Sequence, residues 1–225
     1  MPVIVFANQK GGVGKSTLAV MYANHLSGVM NKRVTIWETD VQKSIYDQRK
    51  DDILTWGEEN MKYDVRYIQL DTLQNSESMM VDAKETFKND IVIIDVPGNI
   101  TDNYIAPLLI YADFIICPYM YETKVLQSTT TFIKVLKKLK KMFQDVMKPK
   151  ILYVPNNIDP REGTAEELKQ RMQIDEIFRT NGEGEVLPKI HQRADIKRLN
   201  TYMNTQKQEY IGSSCFSELD KHILG

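Results

Sequence analysis

Lys10-Gly-Gly-Val-Gly-Lys-Ser-Thr17 stands directly behind the apolar run Val3-Ile-Val-Phe-Ala7. Triphosphate oxygens need many donors aimed at one small volume, and this octet supplies them. Gly11, Gly12 and Gly14 lack a Cβ, so the backbone can curl tightly and come close to phosphates. Successive N–H groups, ending at the N-terminus of a helix expected from Lys15, form an anion cradle. Lys15 is placed to reach the β- and γ-phosphates, the Ser16 hydroxyl to ligate Mg²⁺, and Thr17 to add a phosphate contact. Gly11, Gly12, Val13, Gly14, Lys15, Ser16 and Thr17 are thus the expected nucleotide-binding segment. A strand before it, and an apolar helix face of Leu18, Val20, Met21 and Leu26 after it, complete the strand–loop–helix context. A glycine-rich turn with no ligand is the plain alternative, and the completeness of the motif speaks against it.

Two further strands end in acid. Asp90-Ile-Val-Ile-Ile-Asp95 reads as a buried parallel strand with a carboxylate at its C-terminal end, the edge where open α/β sheets bind ligands. Asp95 is a candidate to hold Mg²⁺ through a water, and Val96-Pro-Gly-Asn99 to sense the γ-phosphate. Val34-Thr-Ile-Trp-Glu38-Thr-Asp40 is the other. Asp40 is the candidate for polarising the attacking water and for an outer contact with the metal, while Glu38 could order the loop. The alternative for Asp40 is a cap on a helix near residues 41–50.

On these residues the chain resembles the ParA/MinD group of deviant P-loop ATPases. Lys10 in KGGVGKST matches the group's signature lysine. The resemblance implies that Lys10 crosses a dimer interface to the partner's phosphates, giving a homodimer that sandwiches ATP. Glu38-Thr-Asp40-Val-Gln42 resembles the group's D-x-D-P-Q segment, with Asp40 on the second, catalytic aspartate. Glu38 and Val41 depart from it, one lengthening the first carboxylate and the other replacing proline. Asn156, with Asn157 as a shifted alternative, lies on an adenine-binding asparagine, and the loop at Pro188 on a segment that packs over the base. The implied catalytic residues are Lys10, Lys15 and Asp40, the metal residues Ser16, Asp95 and Asp40, and the cofactors ATP/ADP and Mg²⁺. The Asp159–Leu168 stretch and the start at Pro2 look most like small plasmid-partition ATPases without an upstream helix-turn-helix domain.

The chain has 225 residues, a formal net charge of −1 and two cysteines, Cys117 and Cys215, without metal spacing. One domain spanning 1–225 is expected, with Cys117 a reduced core residue in a reducing interior. The neutral balance excludes a global polycation, and no apolar run reaches membrane-spanning length. Phe216, Leu219 and Ile223 form a helical stripe that reads as core or dimer packing, so no stable membrane anchor is expected and the protein is read as cytoplasmic.

The elements that must position these residues alternate. Strands are predicted at 3–7, 33–38, 65–69, 90–95, 113–118, 150–154 and 185–187, and helices at 15–30, 41–50, 76–88, 101–111, 123–145, 162–179 and after 193, with 51–64 ambiguous. That order implies an α/β fold: a mostly parallel twisted sheet flanked by helices on both faces.

Nucleic acid has two candidate entry points. Lys134, Lys137, Lys138, Lys140 and Lys141 surround an apolar face of Phe132, Val135, Leu136, Leu139 and Phe143, which is a phosphate-binding patch or an ordinary solvated helix face. Lys189, His191, Arg193, Lys197 and Arg198 form the second set, of which the resemblance favours Arg193 and Arg198. His191, without a triad or ligand set, reads as a packing residue.

The resulting expectation is a switch ATPase for plasmid or chromosome partition. Its ATP dimer binds duplex DNA nonspecifically and associates with the nucleoid, and a ParB-like activator triggers hydrolysis. The alternative within the same fold is positioning of a non-DNA cargo or a role in conjugation. Dethiobiotin synthetases and the nitrogenase iron protein share the architecture. Cys117 and Cys215 do not supply the iron protein's cluster pattern, and no acceptor site for a synthetase is legible. A scaffold that binds nucleotide without hydrolysing it is opposed by the presence together of Lys10, Lys15, Asp40 and Asp95.

Overall fold

The computed structural model describes residues 2–99, 102–159, 161 and 163–225. Runs rich in β-branched and aromatic residues become strands β1 (Val3–Phe6), β2 (Val34–Glu38), β3 (Asp64–Tyr67), β4 (Ile91–Asp95), β5 (Phe114–Tyr119), β6 (Lys150–Pro155) and β7 (Glu185–Val186). They make one seven-stranded sheet in the order β3-β2-β4-β1-β5-β6-β7. Every ladder among the described residues is parallel.

Parallel strands need crossovers, and helices α1 (Lys15–Gly28), α2 (Ser44–Trp56), α3 (Leu73–Glu85), α4 (Ala106–Ile110), α5 (Thr123–Met142), α6 (Ala165–Thr180) and α7 (Gln206–Ile223) supply and follow them. Alternation along β1 splits the core. Val3 and Val5 face a layer with Met80 of α3, Leu108 of α4, Phe132 of α5 and Phe178 of α6. Ile4 and Phe6 face a layer with Leu18 and Leu26 of α1, Ile45 of α2 and Phe216 of α7. Both faces are covered, which is why the central strands are apolar at nearly every position. The register sets Phe6 beside Asp95, and Asp95 beside Glu38. Three strand ends, and the loops that leave them, therefore share one edge.

Several boundaries move. The helix expected at 41–50 starts at Ser44 and runs to Trp56, so the ambiguous segment resolves into its end, a 3₁₀ turn at Glu58–Asn60 and β3. The helix expected at 101–111 becomes a 3₁₀ turn, Asn103–Ile105, followed by α4, and its first residue lies outside the described residues. So do positions 160 and 162 of the Asp159–Leu168 stretch. Helix α5 stops at Met142, so Phe143 leaves the apolar face and is surface-exposed, while Val135 and Leu139 pack against the core as expected. Cys117 and Cys215 are both free and buried, and the Phe216, Leu219, Ile223 stripe is core.

A partly buried ion cluster joins α7 to α1. The His25 ring lies between Glu209 and Asp220, each 2.9 Å from one ring nitrogen, and the Tyr22 hydroxyl donates to Asp220 at 3.0 Å. Burial alone would lower the His25 pKa, but hydrogen bonds and charge from Asp220 and Glu209 overcome it and raise it to about 9. A raised histidine stabilises the fold fully below its unfolded pKa, and that stabilisation is lost as pH rises through 9. We expect His25→Gln to cost about 2 kcal/mol at pH 6 in urea unfolding and far less at pH 10. An equal cost at both pH values would remove the charge from this account.

Candidate functional site

The turn after β1 begins with Asn8, which the motif did not flag. Its buried amide donates to the Pro118 carbonyl at 2.8 Å and to the Thr129 hydroxyl at 2.9 Å, and its Oδ1 accepts from the Lys10 N–H. Strand β5 and helix α5 thus hold the base of the loop. Gly12 and Gly14 take φ of 78° and 92°, a region costly for other residues, and Gly14 leads into α1. Gly14 has a second constraint, because a Cβ there would collide with the Asn156 amide. That amide donates to the Val13 carbonyl at 2.8 Å. Asn157, the shifted alternative, is exposed and turned toward the Met120 sulfur.

A cavity of about 500 Å³ opens over the loop. Gly11, Gly12, Gly14, Lys15, Ser16 and Thr17 line it, joined by Asp40, Gln42, Gly98, Asn99 and Gln9. Three segments far apart in sequence therefore meet at one volume. Gly98 packs so closely on the loop that a Cβ would lie 3.0 Å from the Gly11 nitrogen, so the segment after Asp95 rests on the loop backbone itself.

Asp40 stays open to this cavity because another residue caps α2. The Glu38 carboxylate is fully buried and accepts from the Ile45 N–H at 3.0 Å, the Tyr46 N–H at 2.8 Å and the Ser44 hydroxyl at 3.2 Å. The extra methylene that separates Glu38 from aspartate gives the reach to that helix end. The capping role considered for Asp40 is thus taken by Glu38, whose loop-ordering role has a geometry. Among the described residues Asp40 Oδ1 accepts only the local Gln42 N–H, at 3.0 Å. Thr39 anchors the same loop by donating its N–H and hydroxyl to the Asp95 carbonyl at 3.0 and 2.9 Å.

Asp95 is fully buried. Its Oδ2 accepts the Ser16 hydroxyl at 2.5 Å, and its Oδ1 has no partner among the described residues. Burial pushes its pKa up to about 7, helped by the charges of Glu38 and Asp40 and opposed by Ser16 and Lys15. Lys15 is also buried, which lowers its pKa against the pull of Asp95 and Asp40, and its Nζ reaches the Lys10 carbonyl at 3.4 Å. A buried carboxylate with an orphaned oxygen beside a hydroxyl is a donor set that suits a hard divalent cation. Ser16 and Asp95 fit Mg²⁺, which when bound would neutralise phosphate charge.

Five expected residues are outside this cavity lining. Val13, Asp95 and Asn156 are buried, and Pro188 lines a neighbouring groove. Lys10 is half-buried at the loop's start, outside the cavity lining. His191 packs as expected, bridging to Ile158 with its Nδ1 3.3 Å from that carbonyl. The basic sets also separate. Lys134, Lys137, Lys138 and Lys141 are exposed on α5, in the layer of Val3 and Val5. Lys197 and Arg198 flank residues Ile196 and Leu199 of the opposite layer. Among the described residues no helix is long and apolar enough to cross a membrane.

Comparison with known proteins follows this geometry. No curated protein matches the chain. Solved structures share its fold along nearly the whole length. A plasmid partition protein from Borrelia burgdorferi bound to AMPPNP is 21% identical, covering 99% of this chain and 98% of that one, with a TM-score of 0.68. McdA from Cyanothece in its apo form is 17% identical, covering 100% of both chains, with a TM-score of 0.71. The MinD cell division protein of Aquifex aeolicus is 16% identical, covering 100% and 98%, with a TM-score of 0.71. The model of the CobQ/CobB/MinD/ParA nucleotide-binding domain matches residues 4–205. The chain therefore belongs to that family, as a ParA/MinD-type deviant P-loop ATPase that hydrolyses ATP with Mg²⁺.

Proposed function

We propose that this chain is a nucleotide-switched positioning ATPase. Two copies close face to face over ATP, with Lys10 of each reaching the phosphates held by the other. The loop N–H groups and Lys15 hold the triphosphate, and Thr17 adds a contact. Asp40 orients the attacking water, and Lys15 and Lys10 offset the charge that develops on the transferring phosphoryl group. Ser16 and Asp95 hold Mg²⁺, with Asp40 in outer contact, and Asn156 and Pro188 flank the base. An activator protein speeds hydrolysis, after which the pair opens. The observation that carries this reading is the convergence of Lys15, Ser16, Asp40 and Gly98 on one cavity beside Lys10.

For the cargo we favour a protein assembly, or conjugation machinery, over DNA. The separation of the α5 lysines from Lys197 and Arg198 onto opposite layers leaves no single phosphate-binding face that joins them in one chain. Plasmid or chromosome partition with a ParB-like activator and nucleoid association is the second reading, favoured by the exposed α5 lysines. The test is affinity for random duplex DNA with ATP, ADP and no nucleotide at one low salt concentration. We expect no nucleotide-dependent binding. Tight binding with ATP alone would transfer the cargo to DNA.

A further inference from the structure

Helix α6 is poorly covered for its length. It runs from Ala165 to Thr180, and Phe178 is its one buried residue. Asp175 adds a polar anchor by accepting hydrogen bonds from the hydroxyls of Tyr119 and Tyr121. The turns before that anchor present Leu168 and Met172, one helical step apart, with exposures of 45% and 71%. Tyr210 of α7 is 82% exposed across from them. These three residues belong to one groove of about 780 Å³, which wraps the β7 edge of the sheet from α6 to α7.

The groove is apolar in its walls and positive in charge. Arg171, Arg179, Lys189 and Arg193 line it, with His191 between them in sequence. Among the described residues Asp175 is the one carboxylate in the lining, and its oxygens are committed to the two tyrosines. Arg179 has a loose pair with Glu176 at 3.4 Å, between two exposed side chains, which is weak in water.

We propose that this groove docks an acidic amphipathic helix of a partner protein. Exposed Leu, Met and Tyr gain by covering with apolar side chains, and methionine adapts to the shape of what covers it. The cationic lining selects carboxylates on the flanks of that helix. A phosphate backbone would meet the cations but leave the apolar wall wet. Addition of a strand is blocked, because β7 has two residues and Pro188 removes a donor just beyond it. The groove shares Pro188 with the base-flanking reading above, and Lys189 and Arg193 with the DNA reading, so the test fills the nucleotide site and includes DNA as a rival.

The test uses the full chain with saturating MgATP, so that the nucleotide site is filled. A fluorescein-labelled helical peptide of about 20 residues, with a leucine stripe and glutamates elsewhere, is titrated by anisotropy. A peptide with lysines in place of the glutamates and a random DNA duplex serve as rival probes. We expect the acidic peptide to bind and the basic one not to. Leu168→Ser with Met172→Ser, and separately Arg179→Glu, should each weaken it about tenfold, with basal ATPase activity and melting temperature unchanged. Equal binding of the two peptides, binding of neither, or indifference to the apolar pair would overturn the proposal. So would displacement of the acidic peptide by DNA, or a two-chain species without nucleotide that the apolar pair dissolves.

Discussion

Lys15→Ala leaves the protein folded but lowers its affinity for MgATP by roughly 100-fold or more, measured by calorimetry or a fluorescent nucleotide. The size follows from the position of the side chain. Lys15 is buried and lines the cavity, and among the described residues its ammonium has one hydrogen bond, to the Lys10 carbonyl at 3.4 Å. Burial makes the charged amine costly, which its lowered pKa expresses. A triphosphate in the cavity supplies the opposite charge that offsets that cost. Removal of the amine takes from the phosphate oxygens the cation that this chain's own loop supplies. A melting temperature equal to or above that of the wild type without nucleotide would fit, because an under-paired buried cation is lost. Unchanged MgATP affinity would sink the assignment of the loop.

Asp40→Ala separates binding from turnover. Asp40 lines the cavity, yet no helix N–H depends on it, because Glu38 caps α2. The variant should fold and bind ATP normally, while its turnover falls roughly 10²- to 10⁴-fold, the range of a positioned acid–base group. With hydrolysis blocked, the closed pair should persist on ATP for hours rather than decay. Turnover at the wild-type rate would take Asp40 out of the chemistry. A fall in ATP affinity matching the fall in rate would make it a binding residue instead.

The sequence was most legible where chemistry is contiguous. The loop from Lys10 to Thr17 carries its own geometry, since Gly12 and Gly14 mark places where the backbone turns left-handed. Strand periodicity gave the sheet, because both faces are buried and the apolar runs stand out. What the sequence could not show depends on reach across the fold. Asn8 is an ordinary strand-end residue until Pro118 and Thr129 are brought beside it. Gln9 enters the cavity lining with no pattern to announce it, and Gln42 with a place in the D-x-D-P-Q resemblance but no role assigned to it. The role of Glu38 was hidden because its partners are the N–H groups of residues 45 and 46, set by where α2 starts. The helix was expected from residue 41, with an Asp40 cap only as the alternative, and α2 starts at Ser44. Phe143 fits the α5 periodicity but falls after the helix has ended, so pattern alone put it in the core. The His25 cluster joins residues 184 and 195 positions apart, beyond any local signal.

The central claim is a pair of chains closed by nucleotide through Lys10. Molar mass by light scattering, on the wild type and on Lys10→Ala, each with a non-hydrolysable ATP analogue and Mg²⁺, with ADP and with neither, tests it directly. The account requires two-chain mass for the wild type with the analogue only, and one-chain mass for Lys10→Ala in every state despite retained nucleotide binding. A wild type that stays at one-chain mass with the analogue bound, or a Lys10→Ala variant that pairs as well as the wild type, would contradict it.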